Sequence, residues 1–170
     1  MTDAFVGEGA DATAEAVRIR SFVVADTEAV VALWRESGLV VPWNDPYRDI
    51  ERKLGVQPEL FLVAEGDAGL VGTAMVGYDG HRGWVNYLAV AESSRGGGLG
   101  RRLMAEAERL LVEVGCPKLN LQVRSTNTAV LEFYRALGYE PDGSVSLGKR
   151  LIADGELQSG AEAARARGRS

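Results

Sequence analysis

The stretch "VAESSRGGGLGRRL", residues 90–103, most constrains what this chain can fold into. It follows the apolar run "WVNYLAV" and leads into a segment where Leu99, Leu103, Ala107, Leu110, Leu111 and Val114 mark one helical face. Gly96, Gly97, Gly98 and Gly100 are crowded between Arg95 and the pair Arg101–Arg102. A flexible linker does not usually separate two strongly patterned core elements. A strand-to-helix junction, by contrast, leaves the first helical amides as outward-pointing donors without partners. The helix dipole adds positive potential there, and glycines let an anion reach the backbone unhindered by Cβ atoms. Arg95, Arg101 and Arg102 add charge-assisted bonds of the kind phosphate accepts. Arginines at a helix start oppose the dipole and cost stability unless an anion is present. We therefore read an anion cradle, against the plainer alternative of a tight turn with solvated arginines.

Around this junction the pattern is that of an α/β (α+β) protein. "VRIRSFVV" alternates like a strand. Asp26 is placed to cap the helix "TEAVVALWRES", which Gly38 stops. The loop "LVVPWNDPY" leads to a second helix with Ile50 and Leu54 on its apolar edge. "LFLVAE" and "LVGTAMVGY", joined by "GDAG", form a hairpin, and "DGHRG" turns into "WVNYLAV". After the long helix come the strand "LNLQV", a helix "TAVLEFYRAL" capped by Asn127, and a last apolar run, "SVSLGKRLI", expected to return to the sheet. The expected architecture is a mixed sheet of six to seven strands with about four helices on its two faces. Residues 17–152 form one domain between a disordered arm, 1–16, and a flexible tail, 153–170.

Composition narrows the chemistry. With 170 residues the chain supports one good core. A net charge of −5 argues against broad nucleic-acid binding, so any polyanion site is local. Cys116 and His81 are the sole cysteine and histidine, which removes Cys/His zinc sites and most Cys–His or repeated-His chemistry, and no metal is expected. No run approaches the ~20 apolar residues of a membrane helix, and the acidic start lacks a signal-peptide pattern. A cytoplasmic protein is expected.

The glycines fail the dinucleotide fingerprint, because Arg101 stands where the third glycine belongs, and no G-K-[ST] follows for a P-loop. They do spell R-x-x-G-x-G through Arg95, Gly98 and Gly100. In this, "VNYLAVAESSRGGGLGRRLMAEAERL" resembles the acetyl-CoA segment of the GNAT N-acetyltransferases. "LQVRSTNTAVLEFYRALGYE" is similar to that family's second segment, and the likeness spans the core. "PWNDP", "YDGHRG", "GCPK" and "VSLGKRLI" further resemble YpeA-type bacterial acetyltransferases.

The resemblance implies a GNAT fold whose sheet splays at a cofactor slot, and transfer of acetyl from acetyl-CoA to an amine. It implies that Leu88, Ala89 and Val90 run beside the pantetheine arm. Arg95, Gly96, Gly97, Gly98, Gly100 and Arg101 would hold the pyrophosphate, and Asn127 would reach the arm from the second helix. Tyr134 matches the family tyrosine near the cofactor sulfur and is the expected general acid, although it also fits a core aromatic beside Phe133. Trp84 stands where many relatives carry a glutamate base, leaving Asp79, His81, Glu65 or a water chain as candidates. Trp43, Asn44 and Asp45 sit in the lid expected over the amine, where they equally suit a lid anchor and helix caps. A homodimer is a further expectation from relatives. The alternative reading is a GNAT-fold module that holds acyl-CoA without transferring anything.

Overall fold

The computed structural model describes residues 17–154; the expectations for residues 1–16 and for 155–170 of the tail lie outside it. A five-stranded sheet in the order β1-β2-β3-β4-β5 is built from Arg18–Ser21, Phe61–Gly66, Gly69–Tyr78, Gly83–Val90 and Leu119–Asn120. The first four strands run antiparallel to their neighbours and β5 joins β4 in parallel. Four helices complete the described chain: α1 Thr27–Glu36, α2 Pro46–Leu54, α3 Leu99–Glu113 and α4 Thr128–Ala136.

Alternation along β2 sends successive side chains to opposite faces. Leu62 and Ala64 join Leu103, Met104, Ala107 and Leu111 of α3 in one core. Phe61 and Val63 join Val30, Val31 and Trp34 of α1, and Ile50 of α2, in the other. Each such aliphatic or aromatic side chain contributes about 1.5–3 kcal/mol on burial. Phe61 anchors the second core by stacking on Phe22 at 4.5 Å and on Trp34 at 6.0 Å between centroids.

Three local expectations change. Asp26 precedes α1 but makes no side-chain cap; its carboxylate accepts from Val23 N at 2.9 Å and pairs with Arg20 at 2.7 Å. That pairing, joined by Glu65 on β2, locks the β1–α1 connection to the sheet. "LNLQV" shortens to the two residues of β5. The run "SVSLGKRLI" forms no strand, so the described sheet has five strands rather than six or seven. Val145 and Leu147 alternate correctly, but a two-residue β5 offers too short an edge to template another strand. The segment is fastened instead to the α2 entrance. Arg150 donates to Asn44 Oδ1 at 3.0 Å, and buried Asp154 pairs with Arg52 and accepts from Asp45 N at 3.0 Å.

Candidate active site

β4 and β5 pair only at Gly83↔Leu119 and Trp84↔Asn120. Beyond Trp84 the two chains part, so the side of Val85–Val90 facing away from β3 has no strand partner among the described residues. On the β3 side the register slips: Met75 opposes Asn86 while Thr73 opposes Ala89. Two residues, Tyr87 and Leu88, thus stand against Ala74 alone, which is a β-bulge. Tyr87 takes φ 51°, a conformation that costs a non-glycine residue about 1–3 kcal/mol and re-aims the backbone around Leu88.

Tyr87 is held from several directions. Its ring stacks on Trp34 at 3.9 Å between centroids, and its hydroxyl donates to Asp49 Oδ2 at 2.6 Å. Burial, then the bond to Asp49, keeps the phenol above its ordinary titration range. Asp49 also accepts from Arg52 at 3.0 Å and from Asn44 Nδ2 at 3.3 Å.

At the other end of β4 the glycine junction turns the chain into α3. Gly96 and Gly98 take φ 81° and 79°, which favours glycine on conformational grounds alone. Gly98 is the N-cap of α3 and makes no side-chain cap, so the first turn presents its amides without side-chain partners. A Cβ on Gly97 would meet nothing within 4 Å, leaving open space over its backbone. Gly100 differs, since a Cβ there would come 3.2 Å from the Phe133 ring of α4. It lets α4 close on α3. Arg95 Nε donates to the Val90 carbonyl at 3.0 Å, and Arg102 donates to the Val17 carbonyl at 2.6 Å. Arg102 is therefore turned toward β1, while Arg95 stays at the end of β4. These residues fit a phosphate-bearing group: uncapped amides, unobstructed backbone and adjoining guanidinium.

Asn127 is the N-cap of α4, its Oδ1 accepting from Val130 N at 3.3 Å. Tyr134, on the same helix, is buried against Phe133 and Tyr139 at 5.0 and 5.7 Å between centroids. Burial pushes its phenol up to about 12, so it carries its proton throughout the neutral range.

The other candidates lie apart from this end of β4. Asp79 and His81 occupy the β3–β4 turn beyond Gly83, about 16 Å from Leu88 at the rise of a strand. Asp79 accepts from the amides of His81 and Arg82 at 2.8 and 2.7 Å, and from Trp84 Nε1 at 3.2 Å. Those bonds hold its carboxyl below the ordinary range and give it the duty of shaping the turn. His81 is exposed. Glu65 is engaged by Arg20.

A cavity of about 670 Å³ opens where β4 and β5 part. Trp43 and Asn44 of the lid line it, with Asp49 and Lys53 of α2, Asn86 and Tyr87 of β4, and Gln122 and Arg124 beyond β5. Asp45 caps α2 instead, accepting from Tyr47 N at 2.9 Å. The Asp49–Tyr87 pair escaped sequence reasoning. Neither residue stands among the candidates read from the sequence; only the register slip exposes their meeting.

A sheet of this order, split between β4 and β5 and covered by helices on both faces, defines the GNAT fold. The model of the Acetyltransferase (GNAT) family matches residues 22–139. An acetyltransferase of Yersinia enterocolitica is 50% identical over 140 residues, covering 82% of this chain and 99% of the relative. Among solved structures, Ard1 from Thermoplasma volcanium superposes with a TM-score of 0.63 at 27% identity, over 72% of this chain and 82% of that one. AAC(6')-Iy, solved with a bisubstrate analogue, gives 0.67 at 20% identity over 80% of this chain and 99% of that one, a likeness of fold. The chain belongs to the GNAT acetyltransferase family. Among the described residues no helix is long and apolar enough to cross a membrane, and no group of three or more His, Cys, Asp or Glu could hold a metal ion.

Proposed function

We propose that the protein transfers acetyl from acetyl-CoA to a primary amine by direct attack in a ternary complex. The observation that carries this reading is the parting of β4 from β5, with an uncapped glycine junction at the end of β4 and a cavity lined by Asn44, Asp49 and Asn86 across the gap. AAC(6')-Iy, of the same fold, is an aminoglycoside N-acetyltransferase solved with CoA, which agrees with two substrates meeting across such a gap.

Bound acetyl-CoA supplies the acetyl group as an activated thioester. The amides of residues 96–98, with Arg95 and Arg101, hold the pyrophosphate, and Gly100 keeps α4 seated. The unpaired backbone of Leu88, Ala89 and Val90 orients the arm, and Asn127 borders it from the start of α4. The bulge at Tyr87–Leu88 turns an amide toward the reacting carbonyl oxygen, where developing negative charge is stabilised. Tyr134 delivers a proton to the departing sulfur. In the cavity, Asn44 and Trp43 frame the acceptor and Asp49 draws the amine. Asp49 takes its proton, directly or by relay through the Tyr87 hydroxyl. We assign the base to Asp49 over Asp79 and His81 because Asp49 lines the cavity.

Acetyl-CoA should raise the melting temperature, and free thiol should appear with at least one member of a panel of small amines and peptides. Stabilisation without thiol release across the panel would favour the module that holds acyl-CoA without transfer. No stabilisation at all would remove the donor assignment.

A further inference from the structure

The walls of the acceptor cavity carry an uneven charge. Arg52, Lys53 and Arg124 line it. Arg52 also lines an adjoining hollow of about 560 Å³ with Lys149 and Arg150 of the C-terminal segment. Asp49 is the one carboxylate among the lining residues of the two spaces. Arg52 is neutralised by Asp49 and Asp154. Lys53, Arg124, Lys149 and Arg150 make no ion pair among the described residues. Lys53 donates instead to the Val76 carbonyl at 2.6 Å, and Arg150 to Asn44. Nothing in the overall balance supplies this excess, since the chain carries 24 acidic against 19 basic residues.

Placement divides the cavity into two ends. Asp49 and the Tyr87 hydroxyl lie together against the β4 bulge. Arg124 stands beyond β5 across the gap, exposed, while Lys149 and Arg150 belong to the segment clasping the lid. An amine alone would be drawn to the Asp49 end but repelled by the rim. A molecule with an amine and an anion a few atoms apart satisfies both. Cationic walls also concentrate anionic ligands and suppress wrong ones.

Resting on the acetyl-transfer reading above, we infer that the acceptor is an amine bearing a carboxylate or phosphate, with the amine at Asp49 and the anion held by the exposed Arg124–Lys149–Arg150 rim. Arginine at the rim suits either group, since its fork binds both in two-point fashion.

Binding can be read apart from turnover, because Trp43 lines the cavity and reports its occupancy by fluorescence. Two matched pairs separate the anion sources: phosphoethanolamine against ethanolamine, and β-alanine against propylamine. At low salt at least one anionic member should bind about tenfold more tightly than its neutral partner. The preference should fall to within about threefold in the Arg124→Gln/Lys149→Gln protein and shrink with added salt. A Trp43→Phe control should lose the signal. Equal affinities within both pairs, or a preference unchanged in the double variant, would overturn the inference while leaving acetyl transfer standing. A clear anionic preference with no thiol release from any bound compound would do the reverse.

Discussion

Thr73 Oγ1 donates to the Tyr87 carbonyl at 2.8 Å, from a side chain with no exposed surface. The same oxygen accepts from Trp34 Nε1 at 2.9 Å, so one hydroxyl ties the strained residue of β4 to the aromatic on which it stacks. Thr73→Val keeps the shape and deletes both bonds, leaving a buried N–H and a carbonyl without partners. The expected cost is about 1–3 kcal/mol in urea unfolding. If the bulge aims the Leu88 amide at the reacting carbonyl as proposed, turnover should fall further than acetyl-CoA affinity. Thr73→Ser should restore both quantities. If the valine and serine proteins behave alike, the hydroxyl does not hold the bulge.

Tyr134 offers a cleaner separation of packing from chemistry. Its ring is buried with aromatic neighbours on two sides, and no hydrogen bond to its hydroxyl is seen among the described residues. Tyr134→Phe should therefore leave the melting temperature nearly unchanged. If Tyr134 is the proton donor as proposed, its loss should lower kcat about 10²-fold, within the range for general acid catalysis, with acetyl-CoA Kd altered little. Unchanged kcat would remove the acid assignment.

The glycine junction makes a graded series. Gly98→Ala places a Cβ at φ 79°, costing about 1–2 kcal/mol of stability whatever it binds. Gly100→Ala presses on Phe133 and should disturb the α3–α4 contact. Gly97→Ala is the informative member, because its Cβ meets nothing in the protein. It should fold with an unchanged melting temperature yet bind acetyl-CoA about tenfold more weakly by calorimetry, since the new methyl occupies the phosphate's approach. Wild-type affinity in this variant would mean that phosphate seats elsewhere.

These contrasts show where sequence reasoning has purchase. Helix faces such as Leu99, Leu103, Ala107 and Leu111 were legible because burial imposes a period that neighbouring residues repeat. The hairpin was legible because Gly66 and Gly69 bracket its turn in register. Capping by Asn127 and Asp45 followed from local chemistry alone. The run around Val145 and Leu147 misled because alternation describes a strand's faces, whereas a strand also needs a partner edge, which depends on how far β5 extends. Asp26 misled because Arg20 competes for its carboxylate across the turn. The Thr73–Tyr87–Asp49 arrangement was invisible, since a bulge is a relation between two strands and leaves no periodic trace in either.

Asp154 gives the acid response a definite sign. Hydrogen bonds from Arg52, then the Asp45 amide, lower its carboxyl from 3.8 to about 2. The folded state thus favours the ionised form more than the unfolded chain does. Stability from this group is complete above about pH 5 and is lost as pH falls toward 2. Asp154→Asn should be less stable at neutral pH and show a shallower decline between those limits by urea titration at successive pH values. Parallel curves for the two proteins would show that the Asp154–Arg52 pair carries no such linkage. Because Asp154 also fixes the lid through Asp45 N, the acceptor KM should rise while acetyl-CoA affinity stays.

The Asp49–Tyr87 pair is the remaining test, and three variants divide the candidate bases. Asp49→Asn removes the carboxylate that accepts from the Tyr87 hydroxyl but preserves size and hydrogen-bonding capacity. If Asp49 receives the amine's proton, kcat/KM should drop about 10²-fold with acetyl-CoA Kd altered little. Tyr87→Phe keeps the stack on Trp34 while deleting the relay hydroxyl. A loss similar to that of Asp49→Asn would place the hydroxyl on the proton's route, and a loss below about threefold would mean direct transfer to Asp49. His81→Ala changes an exposed turn residue and should leave kcat/KM nearly unchanged. A larger loss in His81→Ala than in Asp49→Asn would move the base to the β3–β4 turn.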